Sequence, residues 1–150
     1  MKKTTFILFA CAAIMASCNE GKKATPVATN DTVAAAVDSV VYEGMTPAAD
    51  CHGINYRLAM SQDSTMGFNL NQSYMKSETE VDTSFNYNGT AIAVTKTIDG
   101  KENNYFKLPL EENDTLFFMV LNDSTLRMVN AEFEEPVKAE GMSYDLKLVK

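Results

Sequence analysis

From residue 54 onward, apolar side chains recur at every second position in short runs separated by polar turns, and this period decides the fold class. Ile54, Tyr56, Leu58 and Met60 alternate with Asn55, Arg57 and Ala59. Successive side chains of a strand point to opposite faces, so such a run has one face to bury. Gln62-Asp63-Ser64 supplies a turn, after which Met66, Phe68 and Leu70 resume the alternation. Phe85 and Tyr87 continue it, and Ile92 and Val94 follow the turn residues Asn88-Gly89. Asp99-Gly100 between Ile98 and Lys101 predicts a two-residue hairpin. Tyr105 to Leu108 predicts a strand that Pro109 ends or confines to an edge. Glu111 to Asp114 turns the chain into Thr115–Leu121, and Asn122-Asp123-Ser124 turns it into Leu126–Val129. Tyr144, Leu146 and Leu148 close the series. No stretch sustains a helical period. About eight or nine strands at this spacing predict an all-β antiparallel meander. Closing it into a small barrel removes the free edges; an open two-layer sandwich is the alternative.

The N-terminus has another character. Lys2-Lys3 precede an unbroken apolar run from Phe6 to Ala16, too short for a helix across a bilayer, which needs about 20 residues. It has the layout of a secretory signal. Met15-Ala16-Ser17-Cys18 resembles a bacterial lipobox, which implies cleavage after residue 17 and a diacylglycerol on Cys18. Two acyl chains, at ~0.8 kcal/mol per buried CH₂, anchor a protein stably to a membrane face. Asn19 after the cysteine is compatible with sorting to the outer membrane. Residues 18–38 lack aromatic side chains and read as a flexible tether with a reach of roughly 25 Å. Residues 39–150 remain for the barrel.

Charge and composition narrow the function. The formal net charge of −7 becomes −9 once Lys2 and Lys3 leave with the signal. Such a chain repels phosphate backbones, so nucleic acid is excluded as a partner. His52 is the single histidine, which excludes His-rich zinc sites, and no HExxH or phosphate-loop motif occurs. The expectation is a protein without enzymatic activity. The glutamates around Glu111 and Glu132 lack the Asp-x-Asp-x-Asp-Gly spacing of a calcium loop and read as a solvated face. Asp63-Ser64-Thr65 and Asp123-Ser124-Thr125 resemble O-glycosylation triplets, but Asp-Ser pairs are also ordinary turn formers.

The most specific segment is Tyr42-Glu43-Gly44-Met45-Thr46-Pro47-Ala48-Ala49-Asp50-Cys51-His52-Gly53-Ile54. It resembles the start of the NlpE-type lipoprotein domain, for which the pattern is about Tyr-x-Gly-x-x-Pro-Cys-Ala-Asp-Cys-x-Gly-Ile. Tyr42, Gly44, Pro47, Ala49, Asp50, Cys51, Gly53 and Ile54 match, and Ala48 replaces the first cysteine. The resemblance implies a lipocalin-like barrel in an outer-membrane lipoprotein. It also implies a sensor or adaptor for envelope stress or copper, reporting to a two-component sensor kinase. A Cys-x-x-Cys pair can form a disulfide or hold Cu(I); Cys51 alone can do neither within the domain. A residual copper site would use Cys51 with His52 and Met45, while the scattered methionines read mainly as core filler. Cys51 and His52 as a catalytic dyad lack an orienting third group. Cys51 itself is expected to be buried. The rival function is a carrier whose lumen, lined by Phe68, Phe117 and the methionines, holds a small apolar or metal-bound ligand.

Overall fold

A computed structural model describes residues 39–137, 141 and 143–149; Cys18, the signal and the tether lie outside the described residues. Nine strands follow one another: β1 (Ser39–Thr46), β2 (Gly53–Ser61), β3 (Gly67–Met75), β4 (Val81–Thr90), β5 (Ile92–Ile98), β6 (Lys101–Glu111), β7 (Asp114–Asn122), β8 (Thr125–Val129) and β9 (Asp145–Leu148). There is no helix among the described residues. All pairings are antiparallel, in the order β4-β3-β2-β1-β9-β8-β7-β6-β5. The all-β antiparallel meander expected from the alternation is what forms, and the sheet curls into a half-barrel. β1 escapes the period because its inward series Val40, Tyr42, Gly44, Thr46 contains a glycine and a threonine.

The ends of the strand order explain the curl. β4 and β5 stand at opposite edges, yet Ala91 alone joins them in sequence. They are two halves of one bent strand, the first paired with β3 and the second with β6. Ala91 donates its N–H to the Met66 carbonyl at 2.8 Å, extending the β3 ladder by one bond before the chain changes partner. No turn forms at Asn88-Gly89; both belong to β4. Gly89 is needed there because a Cβ would lie 3.0 Å from the Phe68 ring and 3.6 Å from the Pro109 carbonyl across the seam. Pro109 does not end its strand. It lies beyond the last β5–β6 pair, Ile92↔Lys107, where its missing N–H breaks no bond to β5. Asp99 and Gly100 make the expected hairpin turn with φ of 51° and 76°.

Inward side chains fill the half-barrel. Leu58, Leu70, Leu108, Phe118, Leu126 and Leu146 have no exposed surface, and Phe68 and Met60 pack with them. Tyr87, Phe106, Leu110 and Val120 pack around this centre only partly buried. Met66 and Met128 also pack on this cluster, as core filler should. Phe117, expected to line a carrier's lumen, does not line the interior. It faces outward, and its neighbour Phe118 faces the core, because the strand alternates and the double Phe leaves the phase open. The outward Phe117 joins a second cluster with Tyr105, Val129 and Phe133. Further along the outer face, Arg57 pairs with Glu43, and Arg127 holds Asp145 at 2.7 and 3.0 Å and Glu135 at 2.6 Å.

The packed tyrosines make stability sensitive to alkali. Burial first, then neighbouring Tyr74, pushes the Tyr56 phenol from its ordinary value of 10.0 up to about 12. The folded chain therefore binds this proton more tightly than the unfolded one. The contribution is complete below pH 10 and is lost as pH rises toward 12, by roughly 2–3 kcal/mol. Tyr42, Tyr87 and Tyr105 are raised in the same direction, each chiefly by burial. Urea titrations should show stability falling steeply between pH 10 and 12. Tyr56→Phe should make that fall shallower; an unchanged slope would contradict the assignment.

Candidate functional site

β1 ends at Thr46, and Pro47 opens the loop that carries the chain to Gly53 with bends over 49–52. Two glycines of the motif set the paths on either side. A Cβ on Gly44 would stand 2.4 Å from the Asp145 carbonyl oxygen, so glycine here lets β9 cross close to β1. A Cβ on Gly53 would meet the Thr46 carbonyl and the Met45 sulfur, each at 2.9 Å. Tyr42 is buried inside the sheet, and its hydroxyl donates to the Asp123 carbonyl at 3.3 Å, tying β1 to the β7–β8 turn. Three of the most specific motif positions thus serve packing rather than chemistry.

The loop residues face outward. Ala48 is half-buried at the place of the missing first cysteine, and Asp50 is exposed. Cys51 is half-buried rather than buried, free, and donates its thiol hydrogen to the Gly53 carbonyl at 3.3 Å. His52 is exposed and is anchored through its backbone N–H, which donates to the Met75 carbonyl at 2.9 Å. Met45 is 41% exposed and lays its sulfur over Gly53. The Met45 and Cys51 sulfurs therefore both lie against Gly53. Among the described residues, no three of His, Cys, Asp and Glu gather as a metal site requires. The thiol is committed to a carbonyl and not to the adjacent imidazole, so the arrangement is not that of a nucleophile and its base.

Asp50 and Cys51 line a shallow hollow of about 380 Å³ with Tyr74, Asp82, Thr83 and Phe85. The last four escaped the sequence reading. Tyr74 and Thr83 are register partners on β3 and β4, and Tyr74 meets the Phe85 ring edge-on at 5.8 Å. No local motif marks them, because only the β3–β4 pairing carries them to the β1–β2 loop.

Among the described residues the small antiparallel half-barrel exposes loops, strand edges and this shallow rim hollow. This is the class of small all-β antiparallel half-barrel domains. The profile of the NlpE N-terminal domain matches residues 42–139, and the chain belongs to the NlpE family, a family of non-enzymatic lipoproteins of the cell envelope. No curated protein and no solved structure matches the chain.

Proposed function

We propose that this chain is an outer-membrane lipoprotein that senses or relays envelope stress by contact, held to the bilayer through acyl chains on Cys18. The observation that carries the reading is the filled interior: six inward side chains have no exposed surface. That supports a contact module over a lipocalin-like carrier, which needs an open lumen. A domain on a roughly 25 Å tether meets only what lies near the leaflet holding its lipid, so a change of membrane changes its partners. Such a partner is a two-component sensor kinase, as in the family. The reading needs no copper, since Ala48 removes the thiolate that would pair with Cys51.

The test is Cys18→Ser in the full-length chain. The wild type is expected in the outer-membrane fraction with the mass of a diacylglyceryl group, and its overproduction is expected to raise an envelope-stress reporter. Cys18→Ser is expected to move the protein to the soluble periplasm and to abolish the response. Cys51→Ala should keep both. A soluble, unmodified wild-type product would overturn the anchor, and a full response from Cys18→Ser would overturn contact at the membrane.

A further inference from the structure

Among the described residues β5 pairs with β6 alone, so its other side is an unpaired edge. Which residues face that side follows from the hairpin. Ile98 and Lys101 flank the two-residue turn and form the closing hydrogen-bonded pair, so Ile98, Lys96, Val94 and Ile92 bond to β6. Ala91 points its N–H the other way, to Met66 on the β3 side. By the alternation of backbone groups, Ala93, Thr95 and Thr97 direct both N–H and C=O away from β6. The strand is exposed along nearly its whole length, with Ile92 at 51% and Ile98 at 39%. A long, exposed edge of β-formers is a template for another strand.

The outer face beside this edge carries three lysines. Lys96, Lys101 and Lys107 share the outer face of β5 and β6 by register. None of the three pairs with a carboxylate among the described residues, whereas Arg57, Lys76, Arg127 and Lys147 all do. The Lys96 ammonium rests 3.8 Å from the Phe133 ring centroid, and Lys107 lies 5.5 Å from the same ring. In a chain of net charge −7 these are three lysines on one face with no carboxylate in ion-pair contact among the described residues.

We propose that the free edge of β5 docks an extended acidic segment of a partner protein, which adds to the sheet as a further antiparallel or parallel strand. Apolar side chains of that segment meet Ile92, Val94 and Ile98, and a carboxylate on the same face meets Lys96 or Lys101. A second copy of this chain is a poor occupant, because edge-to-edge pairing would bring two lysine-bearing faces together. The free side of β4 is less suited, since its end is approached by Pro109 and its one charged residue is Asp82. The proposal rests on the contact reading above, for which it names a surface.

The test uses the full chain in detergent micelles and two nine-residue peptides with threonine at the even positions, the odd positions, which share one strand face, reading Val-Val-Glu-Val-Val in one and Val-Val-Lys-Val-Val in the other. Amide exchange at Ala93, Thr95 and Thr97 is expected to slow at least about tenfold with the acidic peptide and to be unchanged with the basic one. Thr97→Pro removes an outward N–H without touching the β6 ladder and is expected to abolish the protection. If that variant does not fold, Lys96→Gln with Lys101→Gln is expected to weaken peptide binding several-fold and to reduce its salt dependence. Equal protection by the basic peptide would overturn the proposal. So would protection confined to other strands, protection that grows with protein concentration alone, or protection only on anionic vesicles. None of these results bears on the Cys18→Ser fractionation, so the two readings fail separately.

Discussion

Gly44→Ala is expected to lower the unfolding free energy by about 2–3 kcal/mol, and Gly44→Val by more. The cause is backbone against backbone. The added Cβ would lie 2.4 Å from the Asp145 carbonyl oxygen and 3.1 Å from the Leu146 Cα. β9 cannot simply retreat, because its other side pairs with β8 and the Asp145 carboxylate is held by both Nε and a terminal nitrogen of Arg127. Relief must come from tilting β1 or β9, and the inward Leu146, which has no exposed surface, resists that. Urea denaturation followed by circular dichroism reads the effect as a lower midpoint with an unchanged slope. A loss below about 0.5 kcal/mol for the alanine variant would mean that the two strands are not held as closely as described.

Phe133→Ala is expected to cost about 3 kcal/mol, near the lower end of the range for deleting a buried phenyl group. The residue is buried, although it belongs to no strand. Its ring meets Tyr105 edge-on at 4.9 Å and Phe117 at 5.5 Å, and it carries Lys96 on its face. The backbone accepts φ of 70°, an unfavourable angle for a phenylalanine, and local bonds hold it there. The Asn130 side-chain oxygen accepts the N–H groups of Glu132 and Glu134 at 3.0 and 2.8 Å, and the Phe133 N–H donates to the Asn130 carbonyl. Removing the ring uncovers Tyr105, which is 1% exposed. A near-ultraviolet spectrum should lose tyrosine ellipticity, and the melting temperature should fall. Phe133→Leu, which keeps most of the volume, should recover more than half of the loss; equal losses would make the ring geometry irrelevant.

The site was legible in part. Tyr42-x-Gly44 through Gly53 stood out as a motif, and that is enough to place the chain in its family. The motif does not declare which positions are chemical. Tyr42, Gly44 and Gly53 turn out to manage a close strand crossing, a tie to a distant turn and the lie of Met45. Asp50 and Cys51 meet Tyr74, Asp82, Thr83 and Phe85 only after β3 and β4 have paired. Phe133 was overlooked because a lone aromatic residue among glutamates has no period to place it.

What the amino-acid order determined alone is local: where most of the chain extends, where most of it turns, and that strands such as β2 and β3 have two unlike faces. These follow from side-chain period and from the φ preferences of glycine, asparagine and aspartate, which act over a few residues. Tertiary structure decided which face of the Phe117-Phe118 pair is inside, that β9 returns to β1, and that Ala91 carries one bent strand across the seam. Those outcomes depend on pairings between residues far apart in sequence, whose strength lies in the fit of whole strands and not in any neighbouring pair.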